Sequence, residues 1–178
     1  QLIQKNVTAK KAELSTVVEI LSDGNIENAR VILTADGKEY AVKNIKLKPG
    51  INTVCLDYVI PCPRLWWCNG LGEPYLYKFC TTVEIEGQKA DAKLENIGLR
   101  SLKLISEKDK YGKSLYFELN GHKVFMKGAN LVPCDNFLPR VTDSIYEKTV
   151  ADARDVNMNM LRVWGGGIYE DDAFYKYC

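Results

Sequence analysis

Between residues 10 and 106, apolar and polar side chains alternate with a period of two, and turn residues interrupt them at intervals of roughly 8 to 12 residues. A helix repeats near 3.6 residues, so this pattern commits more than half of the chain to strands. Ala12, Leu14, Thr16, Val18 and Ile20 share one face of a first strand that stops at Ser22-Asp23-Gly24-Asn25. Ala29 to Ala35 forms a second, ended by Asp36-Gly37, a pair suited to a tight hairpin. Tyr40 to Leu47 runs to Lys48-Pro49-Gly50, and Ile51 to Ile60 sets Val54, Leu56, Tyr58 and Ile60 on one side. Tyr75, Tyr77, Phe79, Val83 and Ile85 line a long strand, and segments near 88 to 96 and 98 to 106 bring the total to about seven. Each strand has one apolar face to bury. Two sheets packed face to face bury them all, so residues 1–106 are expected to form an immunoglobulin-like β-sandwich.

The period changes after Ser106. Glu107-Lys108-Asp109-Lys110 is charged and short of apolar residues, which places a domain boundary there and leaves 107–178 as a second domain. Phe117-Glu118-Leu119, the Asn120-Gly121 turn and His122-Lys123-Val124-Phe125 spell a hairpin, which Met126 to Asn130 is expected to extend. A loop from Leu131 to Val141 leads to a helix whose start is marked by Ser144 and Glu147 at capping-box spacing, with Tyr146, Val150 and Ala153 on its apolar face. Asn157 to Trp164 reads as a strand, Gly165-Gly166-Gly167 as its exit, and Glu170 to Cys178 as the start of another helix. Strand, helix, strand, helix opens an α/β domain with parallel strands. Two such units cannot close a core, so the chain is expected to stop inside its second domain.

Charge removes several function classes. The chain carries 24 Lys+Arg against 23 Asp+Glu, for a formal net charge of +1, and the two signs are interleaved throughout. There is no basic tract for nucleic acid and no basic amphipathic helix for a membrane surface. No apolar run reaches the roughly 18 residues of a membrane helix. The six cysteines, Cys55, Cys62, Cys68, Cys80, Cys134 and Cys178, include no pair at zinc-knuckle or redox spacing, so neither a metal nor a cofactor is expected. Cysteines scattered through strands are expected to serve as small buried apolar groups. Asn6-Val7-Thr8 is a glycosylation sequon.

Three longer strings carry a resemblance. Pro63-Arg64-Leu65-Trp66-Trp67-Cys68-Asn69-Gly70-Leu71-Gly72-Glu73-Pro74-Tyr75-Leu76-Tyr77 resembles the segment that closes the immunoglobulin-like domain of family two glycoside hydrolases, closest to their β-mannosidase branch. Cys68 stands where that branch usually has proline. Lys127-Gly128-Ala129-Asn130, then Phe137-Leu138-Pro139-Arg140-Val141-Thr142, then Asn157 to Glu170 with its Arg-Val-Trp-Gly-Gly-Gly core, look like the first two strand-helix units of a β-mannosidase (β/α)8 TIM barrel. Leu131 takes a position where that branch often has tryptophan. The resemblance therefore implies a mainly β chain: a sandwich followed by a truncated barrel, the whole protein being a retaining exo-β-mannosidase that releases terminal β-linked mannose. It implies a secreted, periplasmic or lysosomal parent sooner than a cytoplasmic one. The alternatives are a non-catalytic sandwich module that binds carbohydrate or other domains, and another glycosidase of the same family.

Retaining hydrolysis needs two carboxylates roughly 5 to 5.5 Å apart. In the resembled family these are glutamates at the ends of the fourth and seventh barrel strands, beyond the two strands read here. No catalytic residue is therefore assigned, and Asp171 and Asp172 read as the acidic opening of a helix. The substrate-binding candidates are Trp164, Arg162, Asn130 and Asp135, at or just after the C-terminal ends of the two strands, where barrel sites are built. Trp164 offers an indole face to a mannosyl ring, or serves as a core residue. Arg162 holds a carboxylate ionised, or makes a structural ion pair. Asp135 bonds a sugar hydroxyl, or makes a turn. His122 is expected to face solvent. Trp66 and Trp67 are adjacent and should point to opposite faces, one into the core and one toward a neighbouring domain.

Overall fold

A computed structural model describes residues 1–178, and the chain divides into two units. The first comprises Gln1–Trp66, Pro74–Leu102 and Leu119–Gly121; the second comprises Trp67–Glu73, Lys103–Glu118 and His122–Cys178. Each unit thus includes a short segment from the other side of residue 106.

The first unit holds seven strands: β1 (Leu2–Val7), β2 (Lys11–Ser22), β3 (Ile26–Ala35), β4 (Lys38–Leu47), β5 (Gly50–Pro61), β6 (Tyr77–Ile85) and β7 (Gln88–Ile97). They form two antiparallel sheets, ordered β1-β2-β5 and β4-β3-β6-β7. In the first sheet Ala12 faces Ile60, Leu14 faces Tyr58, Thr16 faces Leu56 and Val18 faces Val54, so the predicted inward faces of β2 and β5 coincide. Leu14, Val31, Leu33, Ile60 and Leu99 are at most 2% exposed and centre the core between the sheets. At the predicted Asp36-Gly37 turn both residues take positive φ, 49° and 79°, which matches the twist of the strands it joins.

The sequence pattern does not disclose β1. Leu2 packs against the core and Val7 belongs to it, yet their odd spacing would send them to opposite faces of a regular strand. A register shift between Gln4 and Asn6 flips the parity and brings both inward. The segment 98–106, expected as another sandwich strand, is a correction: only β8 (Leu102–Ile105) is extended, and it joins β9 (Tyr116–Leu119) and β10 (His122–Val124). Ile97 already pairs with Tyr77, the first residue of β6, so no β6 backbone is left for the residues that follow.

The second unit continues with β11 (Gly128–Leu131), a short 3-10 turn at Leu138–Arg140, α1 (Asp143–Asp155), β12 (Met160–Val163) and α2 (Asp172–Tyr177). Residues 126–130 do not extend the hairpin, because β11 pairs in parallel with β12. Helix α1 starts one residue before the predicted capping box: Thr142 is the extended N-cap, and Ser144 lies inside the first turn, where its hydroxyl meets that of Thr142 at 2.8 Å. The apolar face is as the spacing predicts, with Tyr146 buried and Val150 and Ala153 half-buried. Asp171 caps α2 by accepting the Ala173 N–H at 3.1 Å. The cysteines correct another expectation, since all six are free thiols and only Cys68 is buried. Cys55 lies between the inward Val54 and Leu56, so strand parity turns it to the outer face of β5.

Candidate substrate-shaping site

Parallel pairing of β11 with β12 depends on two local features. Gly128 faces Met160, and a Cβ at position 128 would lie 1.8 Å from the Met160 carbonyl oxygen, so only glycine permits this approach. Asn159 then locks the register: its Oδ1 accepts the Lys127 N–H at 2.9 Å, and its Nδ2 donates to the Phe125 carbonyl at 3.1 Å. With the register fixed, Asn130 stands beside Arg162.

That pairing brings two of the candidate residues into contact. Arg162 Nη1 donates to Asn130 Oδ1 at 3.0 Å, and both side chains are exposed. The guanidinium has no carboxylate among its hydrogen-bond partners. Trp164 follows at the end of β12, its N–H donating to the Leu131 carbonyl at 2.8 Å, and the residue is 45% exposed. A Cβ on Gly166 would fall 2.3 Å from the Trp164 ring, so the glycine run lets the backbone close over one part of the indole. Trp164 is therefore a supported, half-open aromatic surface at the end of β12.

Asp135 is not beside this pair in the hydrogen-bond pattern. Its Oδ1 accepts the Phe137 N–H at 2.7 Å, a turn-forming bond, and its Oδ2 receives Arg140 Nε at 2.9 Å and Nη2 at 2.5 Å. The carboxylate is thereby committed to the loop after β11. His122 is exposed and lies 5.5 Å from Trp67, ring centroid to ring centroid. Trp66 belongs to the first unit, where Arg100 covers its ring at 4.6 Å, and Trp67 belongs to the second.

Two positions escaped sequence reasoning. Asn69 Nδ2 donates to the carbonyls of Arg154 at 3.2 Å and Met158 at 3.0 Å, tying down the turn that joins α1 to β12. Its signal was its place in the Trp-Trp-Cys-Asn-Gly string, which gave no hint of the partner. Glu170 is buried and accepts the Tyr146 hydroxyl at 2.9 Å across 24 residues, a separation no local pattern spans. No three His, Cys, Asp or Glu side chains converge as a metal site, and no helix is long and apolar enough to cross a membrane.

Comparison with known proteins decides the family. Residues 2–100 match the family described as Glycosyl hydrolases family 2. The chain belongs to this family. Beta-mannosidase B of Aspergillus oryzae is 37% identical over 169 residues, covering 94% of this chain and 20% of the relative. A crystal structure of β-D-mannosidase from Dictyoglomus thermophilum superposes with a TM-score of 0.88 at 31% identity, over 99% of this chain and 22% of that one. The exo-chitosanase CsxA of Amycolatopsis orientalis shares the fold, with a TM-score of 0.82 over 99% of this chain and 20% of that one, at 23% identity. The chain thus spans about a fifth of the length of these relatives, and the family places it among glycoside hydrolases.

Proposed function

We propose that this chain is the non-catalytic, substrate-shaping part of a retaining exo-β-mannosidase. Residues 1–106 serve as its immunoglobulin-like domain, and 107–178 as the first two strand-helix units of its (β/α)8 barrel. The observation that carries this reading is the parallel β11–β12 pair, which sets Asn130 against Arg162 and is followed at once by the half-open indole of Trp164. Likeness to the two mannosidases over nearly the whole chain supports the mannosyl assignment.

In this reading each residue has a separate task. The indole of Trp164 offers an apolar wall to the C–H groups of a mannosyl ring. Arg162 directs its free donors to a carboxylate supplied by the rest of the enzyme, favouring the ionised form that attacks the anomeric carbon. Asn130 holds that guanidinium through Nη1, and Asp135 serves by clamping Arg140 and fixing the loop after β11. The acid and nucleophile lie outside these 178 residues. The partners are β-mannoside oligosaccharides, reached through the complete enzyme, and the other domains of the same chain.

The test uses a full-length enzyme carrying these residues. Trp164→Ala should lower kcat/KM for an aryl β-mannoside by roughly 10- to 100-fold, equivalent to about 1.4 to 2.7 kcal/mol of transition-state stabilisation. Unchanged kcat/KM would remove Trp164 from the substrate site, and absence of β-mannoside turnover in the unaltered enzyme would remove the mannosyl assignment.

A further inference from the structure

Glu170 takes no part in the surface formed by Asn130, Arg162 and Trp164. The residue is only 6% exposed; its Oε2 accepts the Tyr146 hydroxyl, and its Oε1 is buried without any hydrogen-bond partner. A buried carboxylate oxygen without a donor is among the costliest arrangements a side chain can adopt, because the water it gave up has not been replaced. Tyr146 cannot supply a second donor, since its single O–H is already used. Burial and the adjacent carboxylate also push its phenol pKa up, which keeps that proton in place.

Glu170 lines a cleft of about 540 Å³ between the start of α1 and the start of α2. The other charged residues around it, Asp143, Asp171 and Asp172, are all acidic, and none of the lining residues is basic. The basic side chains on the neighbouring segments are engaged elsewhere. Arg140 is bound to Asp135, Lys148 is 2.5 Å from Asp152, and Lys176 lies over the Tyr177 ring. The local field therefore favours a cation that these residues do not provide. The carboxylates do not converge as a metal site, which leaves a cation carrying N–H donors. A guanidinium suits best, because its planar fork can serve the orphaned oxygen and a rim carboxylate together.

We propose that the cleft between α1 and α2 is a guanidinium-binding site, in which an arginine side chain from another polypeptide segment donates to Glu170 Oε1. This inference does not rest on the mannosidase reading, since none of the residues lining the cleft is among those assigned to the sugar.

The test titrates the 178-residue protein with ethylguanidinium chloride, the arginine side-chain fragment, and follows amide ¹H–¹⁵N spectra. Tyr146, Glu170 and Phe174 should show saturable shifts in the millimolar range, whereas tetramethylammonium chloride, a cation without N–H donors, should leave them unmoved. Glu170→Gln should weaken the binding at least tenfold. Asp172→Asn, on the exposed rim, should weaken it severalfold without touching the buried pair, so the test survives if Glu170→Gln fails to fold. Non-saturable shifts, an equal response to tetramethylammonium, or unchanged affinity in either variant would overturn the proposal. Tighter saturation by calcium chloride at the same amides would replace it with a metal site.

Discussion

The hydroxyls of Thr16 and Tyr58 meet at 3.0 Å in the sandwich core, where the residues are 4% and 7% exposed. Tyr58→Phe keeps the ring that neighbours Tyr40 and Phe79 at centroid distances of 6.4 and 6.5 Å, but it leaves Thr16 with a buried, unpartnered hydroxyl. Thr16→Val does the reverse. Leaving one buried group unsatisfied costs about 1–3 kcal/mol, whereas removing both partners can be nearly neutral. Each single substitution should therefore destabilise the sandwich by about 1.5 kcal/mol, and the double variant by less than either, a coupling of more than about 1.5 kcal/mol. Because the chain has two units, a single melting curve would mix their transitions. Native-state hydrogen exchange of the β2 and β5 amides isolates the sandwich, and 1.4 kcal/mol appears there as a tenfold change in exchange rate. Additive single effects would refute the claim that the two hydroxyls satisfy each other.

Two further predictions follow from the same geometry. Gly128→Ala would put a Cβ 1.8 Å from the Met160 carbonyl, so it should abolish protection of the β11 and β12 amides while leaving β2 and β5 unchanged; retained protection would show that the strands can part without loss. Burial pushes the Tyr58 phenol up to about 12, against an ordinary value of 10.0, with the Thr16 bond acting in the opposite direction. Stability from this group is thus fully present below pH 10 and lost as pH rises toward 12, and an alkaline denaturation series on Tyr58→Phe should lack that component.

Strand parity made the core of the sandwich readable from the sequence. Ala12, Leu14, Val54, Leu56, Tyr58 and Ile60 all lie on the inward faces that alternation assigns. Parity failed where the backbone broke it, at the irregularity between Gln4 and Asn6, since alternation presumes a regular strand. It also failed to say which neighbour β8 would choose, because a period-two pattern names a face and not a partner. At the candidate site, the contact between Asn130 and Arg162 depended on strand register, which Gly128 and Asn159 set. Glu170 and Asn69 were illegible for another reason: their partners lie 24 and more than 80 residues away, so only the assembled fold brings them together.

The most direct test of the functional account is an assay of the purified 178-residue chain with an aryl β-D-mannoside. If, as proposed, the acid and the nucleophile lie outside these residues, the chain lacks a contribution that general acid–base catalysis alone sets at about 10²- to 10⁴-fold. The account predicts aryl release at the rate of the buffer, unaffected by Arg162→Ala. Turnover above that rate, proportional to chain concentration, would contradict it by placing catalytic groups within these residues.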